Sequence, residues 1–277
     1  MKIMSLIYIK KLLLSYLKQR DIMEQYVFYQ YLYDKKHFHA LYSLYRKINS
    51  SSVESFVNYE HRKIFCVDDI VDFLCKYDVI SFDIFDTLLF RLTANPTDVF
   101  HMIEDTLDIP GYARFRIQAE LNARYKKEKY FGHSEVCLDE IYSELYYKYG
   151  ERCKVIQSIE IQKEFECCFR NPTMIKILKK LQSYGKNLIA ISDMYLSHQI
   201  LKLLLYHCGV KNLEEIFVSC DFAAGKSTGE LFRVVMQKYA DKTIVHIGDN
   251  FTGDILGARS AGIDSLHYLT ALKHNSL

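Results

Sequence analysis

The stretch Asp78-Val79-Ile80-Ser81-Phe82-Asp83-Ile84-Phe85-Asp86-Thr87-Leu88 decides the fold. Val79 to Phe82 is short and mostly apolar, which suits a buried strand, and it runs into a turn bearing two carboxylates, Asp83 and Asp86. Upstream, Val67, Ile70, Val71 and Leu74 recur on one face of a helix, so the order is helix, strand, acidic turn. Ligands of open α/β sheets bind beyond the carboxyl ends of the strands, where this turn belongs. An acidic pair there also suits a plain helix cap, and the hexapeptide Asp83 to Leu88 alone does not separate the two readings.

Downstream, Pro96 to Asn171 is rich in helical spacing and poor in strand pattern, whereas the chain from Pro172 onward alternates helix and strand. The expected strands are Leu188 to Ser192, Ile216 to Ser219, Thr243 to Ile247 and Ser265 to Leu269. Each follows a helical pattern, which points to a parallel sheet in an α/β layer. The fold class is therefore α/β, a Rossmann-like parallel sheet with a helical insert after its first strand. Towards the N-terminus, Ile3, Leu6, Ile7, Leu13, Leu14 and Leu17 make an apolar stripe, and helical spacing persists to Ile48 before the turn-like Asn49-Ser50-Ser51-Ser52. The expected division is an N-terminal helical extension over 1–48, a core over 56–95 and 171–277, and a helical cap over 96–170.

Three further segments carry chemistry. Ile247-Gly248-Asp249-Asn250-Phe251-Thr252-Gly253-Asp254 puts a second pair of carboxylates at a strand end. Mg2+ takes hard oxygen ligands from one or two carboxylates plus a substrate phosphate, which two acidic strand ends can supply. Leu188 to Ser192 ends in a hydroxyl, and Gly225-Lys226-Ser227-Thr228 reads as the opening of a helix. The last string fails as a nucleotide-binding P-loop, because the glycine required five positions before Gly225 is Cys220. Alone, Lys226 reads as a solvated lysine at a helix terminus.

In order and spacing these four segments resemble the motifs of the haloacid dehalogenase (HAD) superfamily: a nucleophilic Asp, a Ser or Thr, a Lys, and Gly-Asp followed by a second Asp. Glu230 and Phe232 after the lysine, and the Ala-Gly that ends Gly248 to Gly262, strengthen a match that covers about Tyr77 to Thr270. The strings Phe82-Asp83-Ile84-Phe85-Asp86-Thr87-Leu88-Leu89 and Ile191-Ser192-Asp193-Met194-Tyr195-Leu196 are similar to those of a bacterial branch of the superfamily. Several members of that branch accompany, or are fused to, surface-polysaccharide glycosyltransferases. The resemblance implies a Mg2+-dependent hydrolase, a phosphatase of a small phosphorylated metabolite or sugar phosphate. It makes Asp83 the nucleophile that forms an aspartyl-phosphate. It sets Mg2+ among Asp83, the main-chain carbonyl of Phe85 and Asp249, with Asp254 serving the metal or orienting Lys226. Ser192 and Lys226 would hold phosphoryl oxygens, since an anionic ester resists attack until its charge is neutralised. Arg91, Thr87 and Asp193 are the expected substrate contacts.

One position departs from the pattern. Two residues after the nucleophile, HAD phosphatases usually carry an Asp that protonates the leaving alcohol, and this chain has Phe85. General acid catalysis contributes about 10² to 10⁴ in rate, so either Asp86 takes over as the acid or it only shapes the turn. Dehalogenases of the superfamily also carry an aromatic residue there, which makes a 2-haloacid dehalogenase the first alternative. Against it, Asp249 and Asp254 keep an acidic motif that those metal-independent enzymes do not need. A second alternative is a catalytically weak phosphate-binding or scaffold protein linked to polysaccharide synthesis. In the cap, Arg116, Glu120 and Arg124 share a helical face and read foremost as a surface ion-pair ladder, then as a substrate clamp.

The 277 residues are 49% hydrophobic and 25% charged, which excludes disordered and collagen-like classes. A net charge of +2 gives no global field for nucleic acid. Eight cysteines without a CxxC pair read as buried thiols of a reduced, cytoplasmic protein rather than a zinc site. The N-terminal stripe, broken by Lys10 and Lys11, reads neither as a signal peptide nor as a membrane span. Its apolar face with Lys2, Lys18 and Arg20 alongside suits packing on the core, or contact with a glycosyltransferase or an anionic membrane surface through 1–48.

Overall fold

The structure, a computed structural model, describes residues 54–93 and 95–269. The helices expected over 1–48 and the linker at 49–52 lie outside the described residues.

The chain enters through β1 (Ser55–Asn58) and β2 (Lys63–Phe65), then α1 (Ile70–Leu74) and β3 (Val79–Phe82). After the acidic turn come β4 (Leu89–Arg91) and the helices α2 (Asp98–Leu107), α3 (Tyr112–Phe131), α4 (Leu138–Tyr149) and α5 (Arg152–Cys167). The chain returns through β5 (Cys168–Arg170), α6 (Pro172–Ser183), β6 (Asn187–Ser192), α7 (His198–His207), β7 (Glu215–Val218), α8 (Ser219–Phe222) and α9 (Glu230–Lys238). It ends with β8 (Ile244–Gly248), a π-helix (Phe251–Gly257), α10 (Ala258–Ser260) and β9 (Asp264–Leu269).

Among the described residues one sheet has the order β2-β1-β9-β8-β3-β6-β7. The strands β9, β8, β3, β6 and β7 are mutually parallel, as the helix–strand alternation requires. β3 is central and buried over its whole length. Its side chains alternate between faces: Ile80 and Phe82 join one apolar cluster, Val79 the other. Both faces are covered, which is why β3, β6 and β8 read as near-continuous apolar runs. The register aligns Phe82 with Ala190 of β6 and Ile247 of β8, so the carboxyl ends of three strands converge.

Four features differ from the sequence reading. β1 and β2 add an antiparallel edge beyond β9, with Phe56 of β1 opposite Tyr268. β4 and β5 pair antiparallel at the two ends of the helical segment, Phe90 against Phe169. Both pairs are too short to show a two-residue period in sequence. Gly225 to Thr228 opens no helix, since α9 starts at Glu230 and the lysine string is a turn. The cysteines are all free, yet Cys66 is exposed and Cys75, Cys137 and Cys220 are half-buried, so only four of the eight are buried thiols. No described helix is long and apolar enough to cross a membrane.

Candidate active site

β3 delivers Asp83 at the sheet's carboxyl edge, where its N–H still donates to Ile247 O at 2.8 Å. The chain then closes a tight loop, Leu89 N–H donating to Ile84 O at 2.8 Å, with Asp86 left-handed at φ 58. Aspartate tolerates that conformation better than most residues, which gives Asp86 a conformational reason to be there. Phe85 stands beside the nucleophile, and the Arg91 guanidinium lies 3.9 Å from its ring centroid. Thr87 is fully buried with no hydrogen-bond partner for its hydroxyl, while its carbonyl accepts from Asn171 Nδ2 at 2.8 Å.

Lys226 is buried, not solvated. Its Nζ donates to Asp83 Oδ1 at 2.7 Å and to Asp254 Oδ1 at 2.5 Å. Its backbone N–H donates to Asp193 Oδ1 at 2.9 Å, which ties the turn after β6 to the lysine turn. Burial works against its charge, but Asp254, Asp83 and Asp193 together hold its ammonium far above the ordinary lysine range. Burial pushes the Asp83 carboxyl up, Lys226 pulls it down, and Asp254 and Asp249 push it up again. Burial also opposes the charge of Asp254, yet Lys226 and His246 keep it well below the usual carboxylate range.

Oxygens of Asp83, Asp249 and Asp254 lie within 4.8 Å of one another, all three residues being buried. Asp254 spends both oxygens on the protein: Oδ1 on Lys226 and His246, Oδ2 on the N–H of Asn250 at 2.8 Å. Asn250 in turn caps the π-helix, accepting from Thr252 N and Gly253 N at 3.0 Å each. Two glycines make this crossing possible. A Cβ on Gly248 would lie 2.1 Å from Asp254 Cγ, and one on Gly257 would lie 1.9 Å from the Lys226 carbonyl oxygen. Ser192 is buried at the end of β6, two residues past the level of Phe82.

The expected site residues thus split into groups. Asp83, Lys226, Asp249 and Asp254 form one cluster, joined through Lys226 to Asp193, with Ser192 on the neighbouring strand end. Phe85, Asp86 and Thr87 line the loop that follows the nucleophile. Arg91 is buried against Phe85, with Nε 3.3 Å from Glu164 Oε2, so it is held by the helical segment. Arg116 corrects the surface-ladder reading. It is fully buried and forked onto Glu160, through Nε at 2.8 Å and Nη2 at 2.7 Å, with a further bond to Glu120 at 3.1 Å. Both i,i+4 pairs of the expected ladder form, but only Glu120–Arg124 has both side chains partly exposed. The period put Arg116 on the right face but could not show that α5 covers it.

His246 and Ser81 were not singled out in sequence. His246 Nε2 lies 3.2 Å from Asp254 Oδ1 and Nδ1 lies 2.8 Å from Ser81 Oγ, both residues being fully buried. Burial holds the imidazole below its ordinary pKa, against the pull of Asp254. The one available signal was a polar residue at an inward position of an otherwise apolar strand.

None of the curated proteins compared with the chain matches it. Among solved structures, the 2-haloacid dehalogenase from Pseudomonas syringae pv. Tomato DC3000 is similar in fold, with TM-score 0.50 and 16% identity over 68% of this chain and 84% of that one. Weaker likenesses are to YfnB from Bacillus subtilis, solved bound to magnesium (TM-score 0.48, 19% identity, 68% of this chain and 87% of that one), and to a HAD phosphatase from Thermococcus onnurineus (TM-score 0.46, 17% identity, 68% and 84%). The family model for haloacid dehalogenase-like hydrolases matches residues 77–262, from the strand that bears Asp83 to the end of the segment that bears Asp249 and Asp254, and the chain belongs to that family of hydrolases.

Proposed function

We propose that the protein is a Mg2+-dependent phosphatase of a small phosphorylated metabolite, a sugar phosphate by the association of its motif branch with polysaccharide synthesis. The observation that carries this is the buried ammonium of Lys226 bridging Asp83 and Asp254 beside Asp249. A phosphomonoester brings two negative charges to a carboxylate nucleophile, and only a site with fixed positive charge tolerates that. The donor set fits a hard divalent cation: Asp83 and Asp249 offer carboxylate oxygens close together, and the carbonyl of Phe85 belongs to the turn that follows Asp83. When bound, Mg2+ would supply the charge that lowers repulsion between nucleophile and phosphate.

The remaining roles belong to the chain. Asp83 attacks phosphorus, its oxygen forming the new O–P bond while the ester O–P bond breaks and the leaving oxygen takes up the electron pair. Lys226 holds the Asp83 carboxylate in place and faces the phosphoryl oxygens, and the Ser192 hydroxyl donates to them. Water then attacks the aspartyl-phosphate, releasing inorganic phosphate and the free carboxylate. Asp254, with both oxygens engaged by the protein, acts by orienting Lys226. With Phe85 in place of an acid, the substrate best suited is one whose leaving oxygen needs little protonation, such as an anomeric or otherwise activated phosphate.

The dehalogenase reading stays as the second, because Phe85 and the Arg91 guanidinium stacked on it present an aromatic and a cation beside the nucleophile. A panel of phosphate esters assayed with Mg2+, against 2-haloacids assayed in chelator, separates the two. The expected outcome is phosphate release that Asp83→Asn abolishes, because an amide is a poor nucleophile. Halide release without metal, and no phosphate release, would replace this reading with the other.

A further inference from the structure

Five buried polar side chains form a closed circuit behind the nucleophile. Lys226 Nζ joins Asp83 Oδ1 to Asp254 Oδ1, that oxygen lies 3.2 Å from His246 Nε2, and His246 Nδ1 lies 2.8 Å from Ser81 Oγ. Ser81 of β3 and Asp83, the residue that follows the strand, are two residues apart, so the circuit closes through the chain's own backbone. Ser81 is also the register partner of His246 across to β8. Neither Ser81 nor His246 belongs to the residues assigned to chemistry above, and both are sealed from solvent behind Asp254.

We propose that His246 is a positioning residue for phosphoryl transfer, an Nε2–H donor that fixes Asp254 and, through it, the ammonium of Lys226 against Asp83. The inference rests on the phosphatase reading of Asp83. The tautomer follows from the partners. Asp254 beside Lys226 is an acceptor only, so the hydrogen between them sits on Nε2. Nδ1 is then the acceptor, and the Ser81 hydroxyl, whose Oγ lies 2.8 Å from Nδ1 and 3.2 Å from Val245 O, shares its hydrogen between the imidazole and that carbonyl. Phe232 of α9 sets its ring edge-on to the imidazole at 4.8 Å and 71°, so the ring plane is held as well.

The consequence for rate is geometric. Asp254 Oδ2 is pinned by the Asn250 N–H, while Oδ1 is held by the Lys226 ammonium and by His246; without His246 the only partner left on Oδ1 is the flexible lysine, and the carboxylate can turn about Oδ2. Lys226 follows it, and misplacement of a reacting group by about 1 Å costs about 10² in rate. Because His246 does not touch the substrate, the loss falls on kcat while KM stays.

The test uses the full chain and two substitutions. His246→Gln keeps an N–H near the place of Nε2, whereas His246→Leu removes it. The expected result is a kcat lowered about 10²-fold in His246→Leu with KM unchanged, and recovery to within about tenfold in His246→Gln. Equal losses in the two variants, or a wild-type kcat in His246→Leu, would overturn the proposal. A measurement independent of turnover is ring ¹⁵N NMR of histidine-labelled protein, the His246 signals being identified by their loss in His246→Gln. The expected pattern is an Nε2–H tautomer whose shift moves in Asp254→Asn; an Nδ1–H tautomer overturns the proposal. If the wild type hydrolyses no phosphate ester, the phosphatase reading fails, and the NMR result still decides whether His246 donates to Asp254.

Discussion

Phe85 occupies the place where a phosphatase of this family usually carries its second carboxylate, and Arg91 covers the ring. The nearest alternative acid, Asp86, sits left-handed at φ 58 in the same loop. Asparagine accepts that conformation as readily as aspartate, so Asp86→Asn removes the charge without adding backbone strain. The expected outcome is turnover that survives in Asp86→Asn in proportion to folded protein. Phe85→Asp, with Arg91 as a counter-ion, should raise hydrolysis of an unactivated alkyl phosphate by part of the ~10²–10⁴ that general acid catalysis provides. Steady-state kinetics on alkyl and aryl phosphates measures both. Loss of alkyl-ester turnover in Asp86→Asn with phosphate binding intact would make Asp86 the acid. At this scale Asp83 and Asp249 were legible because carboxylates at strand ends are chemically conspicuous, and Lys226 because its string follows them in the order of the family's motifs. His246 was not, because a lone histidine inside an apolar strand reads as core until its partners are known.

Helix α5 shows what the elements add. Glu160 and Glu164 are one helical turn apart and hold two buried arginines, Arg116 of α3 and Arg91 of β4. Glu160 also accepts from Tyr142 of α4 at 2.8 Å, and the Arg116 guanidinium lies 4.5 Å from the Phe100 ring of α2 and 4.8 Å from that of Tyr195. One ion pair therefore joins all four helices of the segment to the loop after β6. Removing one member of a buried pair strands the other's charge, at a cost of about 3–5 kcal/mol. Glu160→Gln should lose about that much in urea denaturation, and the double substitution Arg116→Met, Glu160→Met should lose less than either single change. A double variant as unstable as the sum of the singles would show that the pair contributes more than its desolvation costs. The strands of the parallel sheet were legible from period and length, with ends displaced by one residue, whereas the helix read over Val67 to Leu74 begins only at Ile70. The pairs β1–β2 and β4–β5 were not, because runs of three or four residues carry no measurable period.

Across the whole molecule, the ends of two strands far apart in sequence, β3 and β8, bring Asp83, Asp249 and Asp254 together against one lysine. The order of motifs made that convergence readable in advance, whereas the buried contacts between the helical segment and the sheet depend on packing that no local pattern encodes. An excess of buried negative charge opposes folding unless a cation joins it. The Asp83 carboxyl is displaced upward, chiefly by burial, so the fold binds its proton more tightly than the unfolded chain does. By linkage, this group destabilises the metal-free protein increasingly as pH rises above the unfolded-chain value of about 3.9. A divalent cation on Asp83 and Asp249 removes that penalty, and stabilises the fold by about 2.7 kcal/mol at a concentration a hundred times its Kd. For a chain of this size that is a rise of about 5–10 °C in Tm. Thermal melts in Mg2+ and in chelator should show the rise, larger at pH 8 than at pH 5, and Asp249→Asn should abolish it. An equal rise in Asp249→Asn would place the cation elsewhere, and no rise in the wild type would remove Mg2+ from the site.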